Sequence, residues 1–109
     1  MELTKKIKTK WLKALKSGTY KQGFTQLYDN FQGKDAYCCL GVLCKVMDIP
    51  ISEDGMDCFP KNGKKGYPFF FDLLGKKETE YLWVCNDRDV DSTDYSNVIP
   101  LIKKLPTVD

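Results

Sequence analysis

The chain has 109 residues, a length that favours one domain over residues 1–109. Hydrophobic residues make up 42% of it, enough for one modest core. It contains no histidine, which excludes a Ser-His-Asp site, a Cys-His site, an HExxH helix and a Cys/His zinc site built from this chain alone. Lysine and arginine number 17 against 15 acids, so the net charge of +2 marks neither a strongly basic nor a strongly acidic protein.

The longest apolar run, Cys38 to Met47, is interrupted by Gly41 and Lys45 and is too short to span a bilayer. Met1 to Lys16 is basic but lacks the apolar region and small-residue cleavage site of a signal peptide. Cys38, Cys39, Cys44, Cys58 and Cys85 form no CxxC pair, and adjacent Cys38 and Cys39 would strain to bridge each other. Reduced intracellular thiols are the reading this favours over a structural zinc site. The small net charge hides an asymmetry. Residues 1–21 hold seven lysines and one acid, Glu2, whereas residues 78–95 hold six acids and one base, Arg88. Opposed patches favour an electrostatic match within the chain or with a partner over general polyanion binding.

Leu3 to Lys16 is predicted as an amphipathic helix, with Leu3, Ile7, Trp11 and Leu15 on one face and Lys6, Lys10 and Lys13 on the other. Thr4 is its N-cap and Gly18 its stop. Phe24 to Tyr28 reads as a strand, residues 29–35 as a turn, and Ala36 to Cys38 as the returning strand. Cys39, Leu40, Val42, Leu43, Val46 and Met47 predict a helix apolar on most of its circumference, hence central in the core, ending before Pro50. Ile51 to Gly66 reads as a loop or irregular hairpin. Tyr67 and Pro68 open a short helix closed by Gly75. Lys76 to Cys85 follows as a helix with Tyr81, Leu82 and Cys85 on its apolar side, then an acidic irregular segment from Asn86 to Asp94. Val98 to Leu105 is the last predicted helix, which must start near Ser96 or Asn97 for Pro100 to fall in its first turn. The sum is an α+β single domain of about four helices and a small antiparallel β-hairpin.

The segments WLKALKSGTYKQG and YCCLGVLCKVMDI, a helix ending in CND and an apolar last helix resemble a family of small bacteriophage and prophage proteins. Their shared pattern is W-x-x-AL-x-SG-x-Y-x-QG, CCLGVLC, a short Leu-Pro/Trp-Leu-Gly helix, L-x-x-LND and a terminal Ile-rich helix. Trp11, Ala14, Leu15, Ser17, Gly18, Tyr20, Gln22 and Gly23 match the first block, and Cys38 to Cys44 the second without a gap. Leu74 with Gly75, and Asn86 with Asp87, match the later blocks. Phe69 to Phe71, Cys85 and Pro100 depart from the pattern. The resemblance implies a phage accessory protein working in the cytoplasm of the infected bacterium, and implies no reaction.

Cys38 and Cys39 open a helix, where a thiol can be activated, with Gln22 as an oxyanion donor and Asn86 as an orienting group. Without histidine no base completes that site, so a buried, packed cysteine is favoured. Asp87, Asp89 and Asp91 alternate as cation ligands can, but Ser92 and Val98 stand where an EF-hand needs Gly and Glu. Tyr20, Gln22, Tyr28 and Tyr37 can line a pocket for a nucleotide base, with Lys21 facing a phosphate.

The leading expectation is a non-enzymatic phage protein, without cofactor or metal, that binds and inhibits or sequesters a bacterial host component in counter-defence. A nucleotide signal would be held by Tyr20, Lys21 and Gln22. A host protein would meet Asp87, Asp89, Asp91 and Asp94, and Lys6, Lys10 and Lys13. The alternatives are a cysteine- or metal-dependent small enzyme, and a nucleic-acid binder using the basic N-terminal helix. No membrane association is expected, and a homodimer through an apolar helix face is compatible with the pattern.

Overall fold

A computed structural model describes residues 3–61, 63–88 and 94–109. Helix α1 spans Lys5–Lys16 and starts where the sequence puts its cap, the Thr4 hydroxyl accepting the Ile7 amide at 3.3 Å. Trp11 and Leu15 on its apolar face are buried. The indole Nε1 of Trp11 donates to the Cys39 carbonyl at 2.9 Å, fastening α1 to α2, Cys39–Val46. Residues Cys39 to Cys44 of α2 are all buried, as a helix apolar all round requires. Gly41 is what lets α2 lie so close to its neighbour, since a Cβ there would overlap the Leu27 carbonyl.

The hairpin is tighter than its sequence suggests, its first strand starting later, its returning strand starting at Lys34 rather than Ala36, and its turn reduced from residues 29–35 to Gln32 and Gly33. Strands β1, Tyr28–Phe31, and β2, Lys34–Tyr37, pair antiparallel with Tyr28 opposite Tyr37 and Phe31 opposite Lys34. The expected strand over Phe24 to Tyr28 is therefore corrected to one that begins where it was to end. Gln32 and Gly33 have φ of 54° and 79°, the left-handed pair of a two-residue turn whose twist matches the strands it joins. That turn chemistry outweighs the alternation upstream, where Leu27 is buried outside the ladder.

Beyond the hairpin, an isolated antiparallel bridge from Ile51 to Cys58 makes the following segment an irregular hairpin. Helix α3, Tyr67–Leu74, has Pro68 in its first turn and buries Phe69, Phe70, Leu73 and Leu74. Helix α4, Lys76–Arg88, runs past its expected end at Cys85, so Asn86 and Asp87 sit in its last turn rather than in an irregular segment. Its buried side is Thr79, Leu82 and Asn86, and Tyr81, expected on the apolar side, is exposed. Helix α5, Ile99–Lys103, is shorter than Val98 to Leu105, and Pro100 falls in its first turn where a missing amide costs nothing. One core cluster joins residues from Leu3 to Leu105. The architecture is an α+β single small domain.

Candidate functional site

Where the sequence pairs Gln22 with Asn86, the fold brings them into one buried polar knot. The Gln22 amide nitrogen donates to Asn86 Oδ1 and Asn97 Oδ1, both at 2.9 Å, and its Oε1 accepts the Tyr95 amide at 2.9 Å. Asn86 Oδ1 also accepts the Cys39 amide at 3.2 Å, so it satisfies one of the open donors at the start of α2. Its Nδ2 donates to the Gly23 carbonyl at 2.9 Å and to Asp87 Oδ1 at 3.1 Å. Asp87 Oδ1 accepts the Thr25 amide at 2.9 Å as well. Asn97 Nδ2 reaches the Cys85 carbonyl at 2.8 Å, and the Tyr95 hydroxyl lies 2.7 Å from the Tyr37 carbonyl. Thr25 and Tyr95 hold φ of 69° and 63°, left-handed conformations that side chains resist. These bonds keep both there.

This knot sets the chemistry of the neighbouring thiols. Cys38 stands at the N-cap of α2 but is only 6% exposed. Burial pushes its thiol up to about 12, outweighing the Gly41 and Leu40 amides that pull it down. Burial raises Cys39 well above the ordinary thiol range too. Cys44 and Cys58 are buried against each other, and their mutual hydrogen bond raises the first and lowers the second. The expected oxyanion donor and orienting group therefore meet, but as ties between chain segments, beside the Cys38 and Cys39 thiols that burial keeps protonated at neutral pH.

The expected ligand residues separate. Gln22 is buried with its amide spent inside the protein, so it is corrected from ligand donor to structural tie. Tyr20 and Lys21 line a cleft of about 330 Å³ with Lys16, Gly18, Asp35 and Asp94. Tyr28 and Tyr37 instead line a second cavity of about 260 Å³ with Lys45, Pro50, Ser52 and Glu53. The Tyr20 and Tyr37 rings meet edge to face at 5.4 Å, so they form the wall between the two rather than one pocket. With two acids facing its two lysines, the first cleft is not a phosphate site of one sign.

The expected acidic patch is also altered. Asp87 is corrected from free partner-facing carboxylate to a tie, accepting from Thr25 and Asn86. Asp94 is exposed and accepts the Ser96 amide at 3.1 Å, a contact that with the Ser96 hydroxyl holds its carboxyl below the usual range. Asp89 and Asp91 lie outside the described residues. Among the described residues no cluster of three His, Cys, Asp or Glu side chains can hold a metal ion. Lys6, Lys10 and Lys13 are exposed, as their helical spacing predicts.

A surface missed in the sequence lies on α4. Tyr81 is 58% exposed, Val84 46% and Trp83 39%. At 100° per residue Tyr81 and Trp83 stand on the two edges of the solvent arc with Val84 between them. Trp83 is braced by Tyr67, their ring centroids 5.1 Å apart. Beside Tyr81 runs a groove of about 260 Å³ lined by Leu82, Leu101, Leu105 and Pro106, with Glu78 and Lys104 at its sides. The available signal was that Thr79, Leu82 and Asn86 share one helix face, which turns Trp83 and Val84 outward.

A family model described as a domain of unknown function (DUF8296) matches residues 3–106, nearly the whole chain. No curated protein and no solved structure matches it.

Proposed function

The chain belongs to the family described as a domain of unknown function, DUF8296, and on that premise we propose that it is a non-enzymatic phage accessory protein. It binds a bacterial host protein and inhibits or sequesters it, in the cytoplasm of the infected cell, as a counter to host defence. The resemblance to small bacteriophage proteins supplies the setting. The observation that carries the binding role is the exposed face of α4. An exposed aromatic ring, Tyr81, beside an apolar groove is what a protein hot spot is made of, and at the far edge of the same face Trp83 is held by Tyr67. A cysteine-based reaction needs an accessible thiolate, whereas Cys38 is buried with its thiol pushed up to about 12.

The test compares the wild-type chain with Tyr81→Glu/Val84→Glu in affinity capture from host lysate, read by mass spectrometry, and in phage plating on defence-proficient hosts. A host protein captured by the wild type should be lost with the variant, together with the gain in plaques. Identical capture and identical plating by both proteins would remove α4 from the reading. Recovery of a nucleotide in place of a protein would move the site to the Tyr20 and Lys21 cleft.

A further inference from the structure

Away from α4, helix α1 presents a surface of one charge. Lys6, Lys10 and Lys13 fall within about 60° of arc on the side facing away from buried Trp11. All three are exposed, and Lys5 continues the arc towards its other edge, where Lys16 instead shares a cleft with Asp35 and Asp94. No acidic residue occurs between Lys5 and Tyr28. The ion pair recorded among the described residues, Lys65 with Asp57 at 3.7 Å, involves no α1 lysine. Lys8 alone turns inward, its Nζ donating to the Lys103 and Leu105 carbonyls at 2.7 and 2.6 Å. That brings exposed Lys103 and Lys104 alongside α1. An acid does touch the helix at its start, where Asp109 Oδ1 accepts the Lys5 amide at 2.8 Å.

We propose that this face binds the phosphate backbone of double-helical nucleic acid. The composition of the arc decides between anionic partners. Protein interfaces centre on aromatic and apolar anchors and are depleted in lysine, and the exposed arc of α1 holds lysines and Thr9 with no apolar side chain. A helix lying on a membrane inserts its apolar side, but here Trp11 and Leu15 are buried in the core. Single strands are held by stacking on exposed aromatic rings, and this arc carries none. Phosphates of a duplex need only a row of point charges on a rigid support, which α1 supplies. Lys6 to Lys13 spans about 10 Å of helix axis. A duplex carries one charge per about 1.7 Å of its own axis, so about six phosphates lie within that reach.

The experiment is fluorescence anisotropy with labelled DNA and RNA duplexes of about 20 base pairs, titrated with the full chain between about 50 and 200 mM salt. Binding to either duplex is expected, with a log–log salt slope near about −3 if three phosphates are neutralised. The DNA and RNA arms show which duplex is preferred. Lys6→Glu/Lys10→Glu/Lys13→Glu should weaken binding at least about tenfold at the lowest salt. The milder Lys→Gln triple at the same positions, whose helix propensity is close to that of lysine, should weaken it too. Lys61→Glu/Lys64→Glu/Lys65→Glu, with the same change in net charge, should leave binding largely intact. The proposal is overturned by absence of binding to both duplexes at the lowest salt. It is equally overturned if the two Glu triples weaken binding alike, or if poly-glutamate competes as well as unlabelled duplex at equal charge.

Discussion

Asn86 serves three segments with one side chain. Replacing it by alanine strands the Cys39 amide and the Gly23 carbonyl in a place water does not reach, and leaves the Gln22 amide with Asn97. Each buried group left without a partner costs about 1–3 kcal/mol, so Asn86→Ala should lose about 2 kcal/mol or more. Thermal unfolding should then fall by about 8 °C or more for a domain of this size. Asp94→Ala, which removes an exposed contact to the Ser96 amide, should stay within about 0.5 kcal/mol. Two polar residues of the knot, Gln22 and Asn86, are legible in the sequence as a meaningful pair. Their role is not, because a catalytic amide and a structural amide have the same local signature and only burial separates them. Tyr95 and Asn97 complete the knot from 73 and 75 residues beyond Gln22, a distance over which no local pattern reports.

Cys38 adds a pH dependence. Its folded thiol lies at about 12 against an unfolded value of 9.0, so the folded state holds its proton through a window in which the unfolded chain releases it. The stability this contributes is complete below pH 9.0 and is lost progressively as pH rises towards about 12. Denaturant midpoints measured at increasing alkaline pH should therefore fall, and Cys38→Ala should show a shallower fall. A variant as steep as the wild type would place the effect on other groups, such as Tyr95, whose phenol burial also raises.

At the level of elements, two glycine-centred geometries decide the packing. In α2, Gly41→Ala gains about 1 kcal/mol of helix propensity. The added methyl overlaps the Leu27 carbonyl, which is backbone and cannot swing aside. Overpacking of this kind costs about 1–3 kcal/mol, so the loss should prevail and the substitution should lower the unfolding midpoint. In the hairpin, Gln32 holds a left-handed φ that asparagine adopts more readily. Gln32→Asn should therefore raise stability by a few tenths of a kcal/mol, with β-hairpin amide shifts unchanged. Helices α1 and α2 are legible because their apolar spacing has a clear period. The hairpin is misplaced in the sequence because Phe24 and Leu27 imitate strand alternation, while the real strands, YDNF and KDAY, are largely polar. The end of α4 is hidden for a related reason, since Asn86 and Asp87 look like loop residues and are in fact buried or tied in the helix's last turn.

For the molecule as a whole, the thiols report how closed the fold is. Cys38, Cys39, Cys44 and Cys58 are buried, and Cys85 is half-buried. Brief iodoacetamide treatment of the native protein should add at most one label, at Cys85, and denaturant should release the other four. Several native labels would contradict a single closed core. The polar knot extends this closure to places without regular structure. Tyr95 lies outside the named helices and strands, yet its amide is tied to Gln22 and its hydroxyl to Lys21 and Tyr37, across 58 to 74 residues of chain. Its amide proton should consequently exchange with deuterium as slowly as those at the centre of α2, through complete unfolding rather than local fraying. Such a turn should make the hairpin, the end of α4 and the residues leading into α5 open together in exchange rather than one by one.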